Sequence, residues 1–404
     1  MAKTSLFHNT LGLYLLFITL IFAFVTYPGS TEAAEDPVVW YFNGMPIYFA
    51  TFVTLAFFVI ICLTYKFKPD KVETWLLARV FICGVPAIYI YSLSSFSAHY
   101  PVVILSLFAY CIGRSSSWKY ERQTGMIIIL FGLILSIQVI QTFQTIDTPF
   151  LHLDYKRYMR IPIAASNVIA AYLVPIFFLY LFNYKRGRIL NLVLITLFIA
   201  AILLTKSRGG VSVLLLTFIV YLVFFKFKLN LFYVITLFVL LYIIISYLFE
   251  IPEVKLFMLG FSADSTSFDA NSLSSNRLEI YAEEFQRFLA HPLFGNGMVF
   301  NSQTSHTGSH NFFIELLVQS GIFGTVSYIV PICIVLKHAI QFKSSPHVMG
   351  WILFLIATLL HGLIEVNFFN YSTDIIFWSV CGMLMTCKNS NNEIKRSPPL
   401  ARAV

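Results

Sequence analysis

The run LNLVLITLFIAAILL, residues 190–204, carries no charge and shows no alternation of polarity. Runs of this kind recur along almost the whole chain, many of them near the length that crosses about 30 Å of hydrocarbon. In lipid every backbone polar group must find its partner inside the protein, which leaves helices or a closed barrel. Barrel strands are short and strictly alternating, and these runs are neither. Composition agrees: 58% of the 404 residues are hydrophobic and only 11% are charged. A soluble multidomain protein is excluded on that ground. The expectation is an all-α, polytopic integral membrane protein, with residues 1–404 forming a single membrane domain.

Hydrophobic periodicity and run length predict about twelve spans. They lie near 11–27, 47–63, 76–92, 100–113, 126–140, 162–182, 189–205, 210–225, 230–248, 318–336, 349–367 and 374–387. The six cysteines sit in or at the edge of these runs without metal-ligand spacing, so they read as small core residues. The net charge of +8 is a matter of membrane orientation and not of nucleic acid. Lys66, Lys68 and Lys71 follow the second span, and Arg114, Lys119 and Arg122 the fourth. Lys185, Arg186 and Arg188 follow the sixth, Lys226 and Lys228 the eighth, and Lys337 and Lys343 the tenth, while Lys388, Lys395, Arg396 and Arg402 close the chain. Basic even-numbered connections place those loops and both termini in the cytoplasm. The alternative for residues 1–33 is a cleaved signal peptide, which leaves the remaining topology unchanged.

Two sites set cations on the opposite, external side. One is LDYKRYMRIP, with Lys156, Arg157 and Arg160; the other is LLTKSRGG, with Lys206 and Arg208 between two apolar runs. Long side chains at an interface can snorkel, which accounts for the first cluster as well as a binding role does. Arg208 sits in a very tight turn, and the two glycines after it let the backbone approach a ligand or a neighbouring helix closely. An anionic substrate at the outer interface explains both sites.

The long external connection, residues 249–310, contains an amphipathic helix near 277–290. Asn276 is placed to cap it, Glu279 stands in the capping-box position, and His291-Pro292 stops it. Leu278, Tyr281, Phe285, Phe288 and Leu289 form its apolar side, so it is expected on the membrane surface or on the bundle. Glu283 and Arg287 read as a solvated pair four residues apart. Arg277 stands at the first turn, where a cation opposes the helix dipole and calls for a partner. His306 reads as a structural histidine. His310 lies at the start of the next apolar helix, capped by Asn311, where the dipole disfavours imidazolium and leaves a ring able to accept a proton. His361 and Glu365 share a helix face inside span eleven, as a functional pair or as a tie between helices.

Arginines bind phosphate oxygens bidentately and stabilise a departing diphosphate, and a neutral histidine can take the proton of an attacking hydroxyl. On an external face, where nucleotides are absent, the donor must be a membrane lipid. Three stretches, LTKSRGG, SNRLEIYAEEFQRFLAHPLFGNG and SHNFFIELLVQSGIFG, occur in this order with a large loop between the first two. In them, over about residues 190–335, the chain resembles the O-antigen ligase and O-antigen polymerase superfamily of bacterial envelope glycosyltransferases. The resemblance implies a GT-C-like membrane fold and metal-independent, inverting transfer of a glycan from undecaprenyl diphosphate on the periplasmic face of the inner membrane, without a cofactor. It implies that Arg208 and Arg277 bind the diphosphate and that His310 is the general base. Lys206, Lys156, Arg157 and Arg160 are further substrate-binding candidates. The acceptor is lipid A-core for a ligase, the leading expectation, and a growing glycan for a polymerase. A polysaccharide flippase or other transporter is the alternative of another class, although no internal repeat of the kind transporters show is visible.

Overall fold

Each apolar run that the structure describes is helical, as the absence of water for its backbone requires. The computed structural model describes residues 11–21, 55–60, 63, 69–89, 100–116, 118–147, 155–161, 164–183, 187–226, 277–297, 310–365 and 371–387. Its principal helices are α1 Leu11–Ile21, α2 Lys71–Tyr89, α3 Tyr100–Ser115, α4 Glu121–Thr145, α5 Ser166–Asn183 and α6 Arg188–Leu204. They continue as α7 Arg208–Val220, α8 Arg277–Ala290, α9 Phe312–Ile340, α10 Pro346–Gly362 and α11 Tyr371–Leu384. Between α4 and α5 lie a single helical turn, Tyr155–Tyr158, and the two-residue strands β1 Arg160–Ile161 and β2 Ala164–Ala165, paired antiparallel with Arg160 opposite Ala165. Among the described residues four helical stretches are long and apolar enough to cross a membrane: Trp118–Thr145, Ser166–Asn183, Arg208–Lys226 and Phe312–Ile340. The chain is an integral membrane protein.

The bundle closes around α5, whose residues from Ile169 to Tyr180 are almost all buried between α4 and α10. α3 and α11 pack backbone to backbone. Gly113 lies against the carbonyl of Ser379 and Gly382 against that of Tyr110, approaches that a Cβ would block. Arg79 of α2, fully buried, sets its guanidinium 4.2 Å from the ring centre of Tyr328 on α9, a cation–π tie inside the bundle. By contrast α7 is largely exposed along its length and forms an edge.

α9 is broken at Gly321, whose φ of +62° is not helical. The break frees the amides of Ile322 and Phe323, and both are satisfied from the loop after α8. Ile322 N donates to the carbonyl of Pro292 at 2.9 Å and Phe323 N to that of Leu293 at 3.2 Å. Asn296 completes the joint, donating through its backbone N to the carbonyl of Val318 and through Nδ2 to that of Arg287. Gly295, at φ +77°, lies directly on the backbone of Gln319 and Ser320. The stretch PLFGNG is therefore a docking joint as well as a turn.

Two expectations need correction, and one open alternative is narrowed. The apolar run to residue 367 does not stay helical: α10 ends at Gly362, and Leu363 and Ile364 close it with amide bonds to carbonyls three residues back. Glu365 thus stands in a turn beyond the helix and not within a span. Secondly, Arg287 pairs with Glu284 at 2.7 Å and not with Glu283. Of the two places left open for the apolar stripe of α8, the membrane surface and the bundle, the bundle does not take it: Ile280 and Glu284 are buried, whereas Phe285 and Leu289 are 55% and 51% exposed. The face that packs is set by the docking joint and by Arg277, not by hydrophobicity alone. The expected span at 230–248, the Asn276 cap, His306 and most of the 249–310 connection lie outside the described residues.

Candidate active site

The turn Leu363–Glu365 collects residues from four separate parts of the chain at one end of the bundle. Ser207 caps α7, its Oγ accepting from the amide of Gly210 at 3.1 Å. The same hydroxyl donates to Oδ1 of Asn167, in the first turn of α5, at 3.0 Å, and Nδ2 of Asn167 donates to Oε1 of Glu365. The two glycines after Arg208 make this possible. Gly210 presses against Ala170 of α5 and Gly209 against Ile364, so a side chain at either place would push α7 away from the site.

Arg277 opens α8 and reaches the same turn. Its guanidinium donates to the carbonyl of Ile364 and, at 2.9 Å, to Oε1 of Glu365. Asn311 caps α9, its Oδ1 accepting from the amides of Phe313 and Ile314 at 2.9 and 3.2 Å. Its Nδ2 donates to the carbonyl of Leu363 at 3.0 Å, which ties the start of α9 to the end of α10. His310, just ahead of that cap, has a φ of +50° and brings Nδ1 to 3.2 Å from Oε2 of Glu365.

Glu365 is therefore the hub. Burial pushes its carboxyl up, but the hydrogen bond and charge of His310 together with those of Arg277 outweigh it and hold the group below its ordinary value. It stays ionised, with one oxygen on Arg277 and Asn167 and the other on His310. A carboxylate at Nδ1 favours the tautomer with its proton on that nitrogen, leaving Nε2 as the acceptor. His361, four residues earlier, is fully buried and turns Nε2 to the carbonyl of Asn167 at 3.1 Å, so it supports α5 instead of joining the cluster.

Arg208, half-buried at the head of α7, lies near enough to Arg277 for the two like charges to act on each other. Lys206 occupies the turn before it with a φ of +52°, and burial holds its ammonium below the ordinary value. Lys206, Arg208 and Arg277 against Glu365 leave the described site cationic, as an anionic ligand requires. Of the residues picked out from sequence, Arg277 and His310 meet at this turn, and Arg208 lies near Arg277. Lys156 and Arg157 fall on the Tyr155–Tyr158 turn and Arg160 on β1; their side chains lie outside the described residues. Asn167 and Ser207 are polar members that sequence reasoning did not include, and Glu365 was singled out only beside His361.

Comparison with known families decides the class: the model of a family described as O-antigen ligase matches residues 192–329. Over those residues the chain is similar to that family. No match was found among curated proteins. The family match spans α7, α8 and most of α9, and so takes in Arg208, Arg277 and His310 while leaving out Asn167 and Glu365. That similarity supports a membrane glycosyltransferase of the ligase and polymerase type over a transporter.

Proposed function

We infer that the protein transfers a glycan from undecaprenyl diphosphate to an acceptor hydroxyl at the periplasmic face of the bacterial inner membrane, as an O-antigen ligase acting on lipid A-core. The observation that carries this reading is the meeting of Arg277 and His310 on the carboxylate of Glu365, with Arg208 near enough to Arg277 for their charges to act on each other. Two guanidiniums held near each other repel, and a diphosphate between them offsets that cost. The acceptor oxygen attacks the anomeric carbon, Nε2 of His310 takes its proton, and the bond from that carbon to the diphosphate oxygen breaks. Undecaprenyl diphosphate leaves with the bonding electrons, its new charge stabilised by Arg208 and Arg277. Attack opposite the leaving group inverts the anomeric centre. Glu365 offsets the positive charge that the imidazole gains, as a carboxylate does for a catalytic histidine.

In this reading the described bundle belongs to a GT-C-like domain of about twelve spans, both termini are cytoplasmic, and residues 249–310 form the large periplasmic connection. No metal or cofactor enters, because the arginines supply the charge stabilisation that a divalent ion supplies in other diphosphate chemistry. Lys206 adds to the cationic face, and Lys156, Arg157 and Arg160 are proposed as further substrate-binding residues. The three motif stretches are equally those of a polymerase, so a growing glycan is the second acceptor class. Deletion followed by gel analysis of surface lipopolysaccharide separates the two. A ligase loss leaves bare lipid A-core while lipid-linked polymer accumulates, and a polymerase loss leaves core bearing a single repeat unit. Unaltered lipopolysaccharide sinks both.

A further inference from the structure

α8 presents its apolar side away from the protein. Phe285 and Leu289 are exposed on it, and Leu293 and Phe294 continue the exposed surface into the docking joint. Glu279, Glu283 and Gln286 are exposed elsewhere around the helix. Water is a poor environment for such a stripe, and the place where the joint meets α9 says what covers it.

Below the break at Gly321, residues 322–340 run about 28 Å at 1.5 Å per residue, close to the hydrocarbon thickness of about 30 Å. The break, and the joint bonded to it through Ile322 and Phe323, therefore lie at the hydrocarbon boundary on the site-bearing side. Ile322, Phe323 and Val326 are exposed on the membrane-length part of α9, which makes them lipid-facing. The ring of Phe294 lies 5.3 Å from that of Phe323. The stripe of α8 thus continues the lipid-facing surface of a span, at the depth where that span leaves the hydrocarbon.

We propose that α8 is an in-plane interfacial helix whose Phe285, Leu289, Leu293 and Phe294 stripe is immersed in the bilayer at the site-bearing end, so that lipid and protein together set the depth of Arg277. Its exposed polar side carries Glu279 and Glu283, so binding draws on apolar burial and not on attraction to anionic headgroups. Arg277, at the opposite end of the same 14-residue helix, is held by the bilayer at the level of lipid headgroups. That last consequence rests on the glycosyltransferase reading, because it places the cation where a lipid diphosphate lies; immersion of the stripe does not.

The test uses the full chain carrying the photocrosslinker p-benzoylphenylalanine at position 285, 289 or 283, reconstituted in phosphatidylcholine vesicles with and without phosphatidylglycerol. After illumination, intact mass reads the product. Phospholipid adducts at positions 285 and 289, several-fold above those at 283 and equal in the two vesicle types, are expected. Two results overturn the proposal: crosslinking of 285 and 289 to a second copy of the chain, or lipid adducts no higher there than at 283. Adducts that appear only with phosphatidylglycerol overturn the apolar basis of binding. Because the readout is mass, these results stand apart from the lipopolysaccharide phenotype that tests the enzymatic reading.

Discussion

At the scale of single residues the site turns on one carboxylate. Glu365 engages Asn167, Arg277 and His310, which lie 198, 88 and 55 positions away in sequence. This explains why sequence reasoning picked out Arg277 and His310 but did not join them to Glu365 or Asn167. A cation on the wrong side of a membrane, or against a helix dipole, is a local anomaly that can be seen without a fold. Glu365 had only His361 within helical reach, so the sequence could offer that neighbour and not the distant partners. Glu365→Gln keeps the shape and an acceptor for Arg277 but removes the charge that orients His310. We expect the turnover of glycan transfer to fall by about 10²-fold or more, with a smaller change in KM; wild-type turnover rules out the positioning role. His310→Ala is expected to fall at least as far, and full-length capped glycan in that variant refutes the base assignment. The carboxyl of Glu365 is held below its ordinary value of 4.5 in the folded state. The stability it contributes is therefore fully present above that pH and is lost as pH falls through the lower folded value. Thermal unfolding of detergent-solubilised protein across acid pH should show a wild-type loss that Glu365→Gln lacks, and parallel profiles for the two proteins disprove the linkage.

At the scale of elements, helix positions were legible because each described apolar run carries its own reason to be helical. The α8 boundaries followed from the His291-Pro292 stop, and the α9 start from Asn311. What remained hidden was which face packs, since a stripe of Phe and Leu signals burial without saying whether protein or lipid provides it. The glycines of PLFGNG and QSGIFG read as turn and helix residues, yet their task is to let two backbones touch. Gly295 and Gly321 have positive φ, and an added Cβ on either meets backbone atoms of the other segment. A left-handed conformation alone costs an L-residue about 1–2 kcal/mol, and backbone cannot move aside as a side chain does. Gly295→Ala and Gly321→Ala should each destabilise the protein by more than that amount, read as a drop in unfolding midpoint in detergent. Gly187→Ala, where nothing lies within 4 Å, should stay within about 0.5 kcal/mol of wild type. Equal effects at all three positions reject the docking joint.

For the whole molecule, antiparallel alternation of the helices is what brings the site together. α5, α7 and α9 begin at the end where α6 and α10 finish, so Asn167, Arg208, His310 and Glu365 share one end whichever way the protein is inserted. At the other end Arg188 opens α6, Lys337 lies in the last turns of α9, and Lys343 follows α9. Cations in short connections favour the cytoplasm, so the proposed orientation rests on charge while convergence rests on packing, two independent arguments. Only the first could be made from sequence; the second needed Gly209 and Gly210 to seat α7 against Ile364 and Ala170. Alkaline phosphatase fused after Asp147 or Gly297 should be active, and fused after Gly187 or Ser345 inactive. The outcome bears directly on chemistry. A cationic site on the external face has no access to nucleotide-activated sugars and must draw its donor from the lipid phase. The reverse fusion pattern would put Arg208, Arg277 and His310 in the cytoplasm and remove the reason for a lipid-linked donor.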